Sequence, residues 1–280
     1  MTTKPPAAMG LTPHRSPTPL GWVRTSSLRM AYTLGTLAVF LLVWEAACHV
    51  FGIGAYLLPK PSDVLAQMAD DPVFLLRHTA ATAWATVAGF ALAVVAGVAL
   101  AVVIVYSPFL EKTLFTSLVA FNAIPKVAIA PLFILWIGTG IESKVLMAFL
   151  IAIFPIIVDT VAGLRSVDPA QLDLISIYRS SRLQIFWKIR FPNALPSIFA
   201  GMKVSVTLAL IGAIVGEFVG ANQGLGFVIL QAQGTYQTPL VFAAIAVLSI
   251  LGVVLFNLID AAEHLALPWH VSNRGKRGRR

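Results

Sequence analysis

Between Thr79 and Tyr106 the chain runs for 28 residues without one charged side chain. As a helix rising about 1.5 Å per residue this stretch extends roughly 42 Å, more than the hydrocarbon core of a bilayer at about 30 Å. It belongs in a membrane, and the composition agrees. Of 280 residues 58% are hydrophobic and only 11% charged, with a mean hydropathy of +0.85, far outside the range of soluble globular proteins.

Five further runs follow the same logic. Residues 28–51 are apolar apart from Arg29, Glu45 and His49 and rise roughly 36 Å, too long for the apolar region of a signal peptide at about 7 to 15 residues. Ala46-Ala47-Cys48 superficially resembles a lipidation site, but Glu45 stands where an aliphatic residue is required. Cys48 is the single cysteine, which excludes an internal disulfide and a thiolate cluster, and it reads as a buried small residue of a membrane helix. Residues 52–78 carry Pro59, Pro61, Asp63, Asp70 and Asp71 and read as an aqueous connection with a short helix begun at Pro61-Ser62-Asp63. In the second span, 79–106, Gly89, Ala93 and Gly97 form a row of small residues suited to close helix packing. The third, 114–138, is interrupted by Asn122, Pro125, Lys126 and Pro131, and the fourth, 144–163, contains Pro155 and Asp159. A fifth span follows Pro196 at 197–219. The segment Ala221 to Thr238 is too short to cross and is expected as a short helix at the outer surface, before a sixth span at 239–265.

The longest stretch that does not read as membrane is residues 168–196. Asp168 can cap a helix with Pro169 at its first position and Gln171 reaching back, and Ser181 with Gln184 repeats the capping-box spacing. Pro192 is expected to end this second helix. Leu172, Ile175, Leu183, Phe186 and Trp187 make the segment partly apolar, while Arg179, Arg182, Lys188 and Arg190 make it basic, so it should lie against another protein or the membrane surface. Lys and Arg collect in cytoplasmic loops. With the N-terminus inside, sixteen of the 20 basic residues fall in internal segments, which puts 168–196 and both termini in the cytoplasm. Residues 1–27 read as a disordered cytoplasmic tail and 266–280 as a basic one. The net charge of +8 does not signal nucleic acid, because the basic residues form no single patch with interleaved aromatics.

A basic two-helix loop between the fourth and fifth of six spans resembles the cytoplasmic loop of bacterial ABC importer permeases, with its pattern E-A-A, three residues, G, nine residues, I-x-L-P. Asp173 stands for the Glu, Leu174 and Ile175 for the alanines, Arg179 for the Gly, Ile189 for the Ile and Phe191 for the Leu, and Pro192 matches. The segments from Pro125 to Trp136, Gly140 to Lys144, Phe154-Pro155, Gly163 to Pro169, Gly216 to Asn222 and Gly224 to Gly226 resemble one branch of these permeases. That branch imports nitrate, aliphatic sulfonates, taurine, and thiamine-pyrimidine or riboflavin precursors. The likeness covers roughly Leu34 to Leu265.

It implies an all-α, polytopic, MetI-like type I importer permease fold with six transmembrane helices in the bacterial inner membrane. It also implies a homodimer, two cytoplasmic ATPase subunits that hold ATP and magnesium, and a periplasmic or lipid-anchored binding protein. This chain contains no G-x-x-x-x-G-K-[ST], in keeping with a transport subunit without its own ATPase site. The loop becomes a coupling helix, with Asp173, Tyr178, Arg179, Ser180, Ser181, Arg182, Leu183, Phe186, Ile189 and Pro192 as its contact residues. Arg179 departs from the family's glycine: either the corner has another geometry or Arg179 makes a partner-specific contact. The basic residues of the loop equally suit lipid headgroups.

Ionisable groups inside the membrane are costly and so are candidates for a translocation path. Asn122 and Lys126 flank Pro125 in what reads as a broken helix, and a cation there suits an anionic substrate. Asp159 is a further candidate and is also placed to pair with a loop cation. Glu217 is the fourth, although it and Glu45 lie near span ends, where solvation at the interface is expected. The histidines show no metal-ligand spacing. An ion-coupled secondary transporter would need acidic groups near the midplane and an inverted repeat, and a membrane enzyme would need polar residues gathered at one interface; neither pattern is present.

Overall fold

The computed structural model describes residues 19–110, 112–113, 116–177 and 180–268. Tyr178, Arg179, residues 1–18 and residues 269–280 lie outside these, as do the side chains of 19–31 and of Asp173. Every regular element among the described residues is helical. In chain order they are α1 (Pro19–Val50), α2 (Pro61–Asp70), α3 (Pro72–Tyr106), α4 (Thr116–Asn122), α5 (Ala130–Ile137), α6 (Ile141–Arg165), α7 (Pro169–Ile177), α8 (Arg182–Gly220), α9 (Leu225–Gly234) and α10 (Thr238–Ala266). Among the described residues four, α3, α6, α8 and α10, are long and apolar enough to cross a membrane, while the apolar part of α1 described is Leu34–Val50.

The centre is α6, held between α3 and α8 at distances only small residues allow. A Cβ added at Gly89 of α3 would come within 2.5 Å of the Ala148 Cβ, and one at Gly212 of α8 within 2.7 Å of the Ala148 Cα. Ala148 is fully buried between the two helices. The small-residue row read in the sequence is therefore a helix contact, with Gly97 against Ile156 one step further along. Ser205 of α8 adds a polar tie by donating to the Ala152 carbonyl at 2.8 Å. α10 lies against α8 in the opposite direction, and Lys203 midway along α8 bridges Asp260 and Glu263 near the end of α10, each at 2.5 Å.

Three expectations change. α3 starts at Pro72, not at residue 79, because Asp71 accepts from the Phe74 N–H at 2.9 Å and Pro72 fits the first turn, so the polar residues Arg77 and His78 are helical. Pro192 does not end a helix, and the fifth span does not begin after Pro196: one helix of 39 residues runs from Arg182 to Gly220. Residues Phe186–Arg190 form a π segment, in which the Phe191 N–H reaches back five residues to the Phe186 carbonyl, and Pro192 sits in the first turn of the α-helix that resumes. A missing donor is tolerated there as it would be at a free helix start. The third predicted span is broken, as its prolines and Asn122 suggested. α4 ends at Asn122, Pro125 opens a 3₁₀ turn at Lys126–Ile129, and α5 follows.

Candidate functional site

The loop between α6 and α8 is built as a helix, a corner and the first turns of a long helix. Asp168 accepts from the Ala170 N–H at 2.9 Å and so caps α7. The Ser181 and Gln184 capping box forms in both directions, at 3.3 and 2.9 Å. Ser181, Arg182 and Leu183 are exposed at the tip, with Ser180 half-buried beside them. Phe186 instead turns inward, against Leu164, Ala194 and Ile198, and meets the Tyr106 ring edge-on at 6.0 Å. Ile189 and Pro192 are half-buried in the stem. Asn193 donates to Ser166 at 2.8 Å, tying the start of α8 to the end of α6. Asp173 lies on α7, its side chain outside the described set, and Tyr178 and Arg179 fall outside it entirely. Sequence reasoning left Trp187 out of the contact set, yet it is 58% exposed at this corner.

Asn122 and Lys126 are brought together by the helix break. The Lys126 ammonium donates to the Asn122 side-chain oxygen at 2.6 Å and stands 5.8 Å from the centre of the Phe154 ring. Both line a cavity of about 330 Å³ between the broken segment and α6, with Phe121, Phe133, Trp136 and Phe154 in its wall. Asp159 is elsewhere, over Gly201 of α8, where an added Cβ would lie 3.0 Å from its carboxylate.

Glu217 is also apart, and the expectation of a solvated interfacial carboxylate is overturned. It is 1% exposed, because the turn after α8 folds α9 back over it. Its Oε1 accepts from Thr82 Oγ1 and its Oε2 from the Gly226 N–H, both at 2.8 Å. Thr82 Oγ1 accepts in turn from the Leu225 N–H at 2.8 Å, and His78 Nδ1 from the Gly224 N–H at 3.0 Å. Three N–H groups at the start of α9, which have no partner within the helix, are thus satisfied by side chains from α3 and α8. A carboxylate beside a helix N-terminus is favoured by the helix dipole. Lys144, only 7% exposed, donates to the Gln223 carbonyl at 3.2 Å and supplies a cation to the same cluster. Gly224 has φ +116, open to glycine but strained for other residues. Neither His78 nor Thr82 was singled out from the sequence as a site residue; the only local hint was their place at the start of a long apolar run.

Comparison with known proteins places these features in a family. The family described as binding-protein-dependent transport system inner membrane component matches residues 93–264. The riboflavin transport system permease protein RibX of Chloroflexus aurantiacus is 41% identical, over 85% of this chain and 89% of its own. The formylaminopyrimidine transport permease protein ThiX of Halalkalibacterium halodurans is 35% identical, over 82% and 92%. The taurine transport system permease protein TauC of Escherichia coli is 29% identical, over 90% and 94%. A chain of the MetNI methionine ABC transporter shares the fold, with a TM-score of 0.60 at 18% identity over 69% of this chain and 95% of that one. With its long apolar helices and the matched region spanning α6, α7, α8 and α9, this chain belongs to the multi-pass inner-membrane permease subunits of binding-protein-dependent ABC importers.

Proposed function

We propose that two copies of this chain form the path of an importer for a planar, aromatic, vitamin-like heterocycle or its precursor. The observation that carries the substrate class is the cavity beside the broken helix. Its walls are Phe121, Phe133, Trp136 and Phe154, and its polar groups are the paired Lys126 and Asn122. Aromatic walls offer stacking area to a flat ring, and one cation offers a partner to an electron-rich or anionic edge. The relatives named for riboflavin and formylaminopyrimidine transport, at 41% and 35% identity, point the same way.

In this reading each copy crosses the bilayer six times with both termini in the cytoplasm, the crossings being α1, α3, the broken pair α4 and α5, α6, α8 and α10. A separate ATPase pair binds ATP and magnesium and takes the exposed tip at Ser181, Arg182 and Leu183, together with Asp173, Tyr178, Arg179 and Ser180. A binding protein delivers the substrate. The bipartite loop and its exposed tip support the docking, and the charge distribution supports the orientation.

The test is ATP-dependent uptake into proteoliposomes holding the permease with its ATPase and binding protein. Riboflavin or formylaminopyrimidine should accumulate and taurine should not; preferential uptake of taurine or nitrate would overturn the substrate class. Lys126→Ala should lower the uptake rate about tenfold, as expected for loss of one charged contact, and Lys126→Arg should keep most of it.

A further inference from the structure

A second pocket, also of about 330 Å³, opens where α3 ends and α8 begins. It is lined by Val105, Tyr106, Arg182, Ile185 and Arg190, and is separate from the cavity at Lys126. Two guanidinium groups share it with one phenol. The Tyr106 hydroxyl is buried and has no hydrogen-bond partner among the described residues, a costly condition for a polar group unless something else supplies an acceptor. The Arg190 guanidinium lies 5.7 Å from the centre of the Tyr106 ring, so the cation is held at the pocket rather than free in solvent.

The π segment explains how both arginines reach one pocket. Eight residues of regular α-helix would carry Arg190 roughly 80° past Arg182 around the axis. Phe186–Arg190 closes with bonds five residues apart, and the wider turns take that excess rotation back. Arg182 and Arg190 therefore return close to one face of α8, and both line the pocket with Tyr106.

We infer that this pocket binds the phosphate of an anionic phospholipid headgroup. The forked guanidinium groups match phosphate oxygens, and the phenol supplies a further donor. Val105 and Ile185 give the apolar wall an acyl chain needs below the phosphate. The position favours lipid over a protein carboxylate. Tyr106 is the last residue of a long apolar helix, and the exposed Trp187, on the far side of Phe186, is of the type that gathers at the membrane–water boundary.

The experiment is native mass spectrometry of the full-length chain in a non-ionic detergent, titrated with phosphatidylglycerol or phosphatidylcholine. Phosphatidylglycerol should be retained and phosphatidylcholine weakly or not at all. Arg190→Gln should raise the Kd for phosphatidylglycerol about tenfold, Tyr106→Phe should weaken it by a smaller factor, and Arg190→Lys should fall between wild type and Arg190→Gln. Elution volume on size exclusion checks that each variant is folded. Equal retention of the two lipids, or unchanged retention by Arg190→Gln and Tyr106→Phe, overturns the assignment. So does binding of inorganic phosphate with the same residue dependence when phosphatidylglycerol is not bound. Release of the co-expressed ATPase subunit by Arg190→Gln with lipid retention unchanged also overturns it, in favour of a partner carboxylate.

Discussion

Glu217 carries more of the architecture than its surroundings in the sequence suggest. Its two oxygens hold α9 through Gly226 and α3 through Thr82, so truncation strands two donors in a buried place. Each such donor costs about 1–3 kcal/mol. Glu217→Ala should therefore lower the thermal midpoint of the detergent-solubilised chain strongly. Glu217→Gln, which keeps the volume and one acceptor oxygen, should lower it by clearly less; equal losses would show that the retained oxygen contributes nothing and that the second acceptor or the charge is what matters. The carboxylate was visible in the sequence as an ionisable group in an apolar run, but its burial was not. Val219, Gly220 and Asn222 look like the end of a span, and Thr82 lies 135 residues away, a distance no local pattern bridges. Lys126 was more legible, because Asn122 is one helical turn before it and Pro125 marks the break that lets the pair meet.

At the level of the helices, the contact between α6 and its neighbours rests on absent side chains. Gly212→Val would drive a branched side chain into the Ala148 and Met147 backbone and should abolish stable expression, or lower the thermal midpoint sharply. Gly35→Ala, where an added Cβ meets nothing within 4 Å, should leave it unchanged or raise it slightly through helix propensity. Fluorescence-detected size exclusion after a heating series separates these outcomes, and a tolerated Gly212→Val would sink the close-packing account. The row from Gly89 to Gly97 could be read from spacing alone, whereas α8 could not be read as one helix. Pro192 and Pro196 signal a stop, but the π segment, which no residue pattern announces, leads the chain through Pro192, and Pro196 lies inside the α-helix that follows.

For the whole molecule, the apolar runs already described a multi-pass membrane protein and the motif resemblance a permease, and the family match agrees with that class; four of the described helices are long and apolar enough to cross. The coupling role makes a direct prediction: Asp173→Lys, or deletion of residues 176–183, should abolish co-purification of the ATPase subunit. Normal recovery of the complex from both variants would remove the loop from that role. Reporter fusions after Asp70 and after Arg182 should report opposite sides of the membrane; the same side for both would break the six-span topology. The unbroken length of α8 gives these sites a mechanical relation. At 39 residues it is a rod of roughly 58 Å, clamped along α6 by contacts too tight for sliding. A tilt of about 5° applied at its Arg182 end would swing the Glu217 end by about 5 Å. In the proposed topology a push delivered at the Arg182 end would thus arrive at the opposite face of the bilayer as a lever stroke.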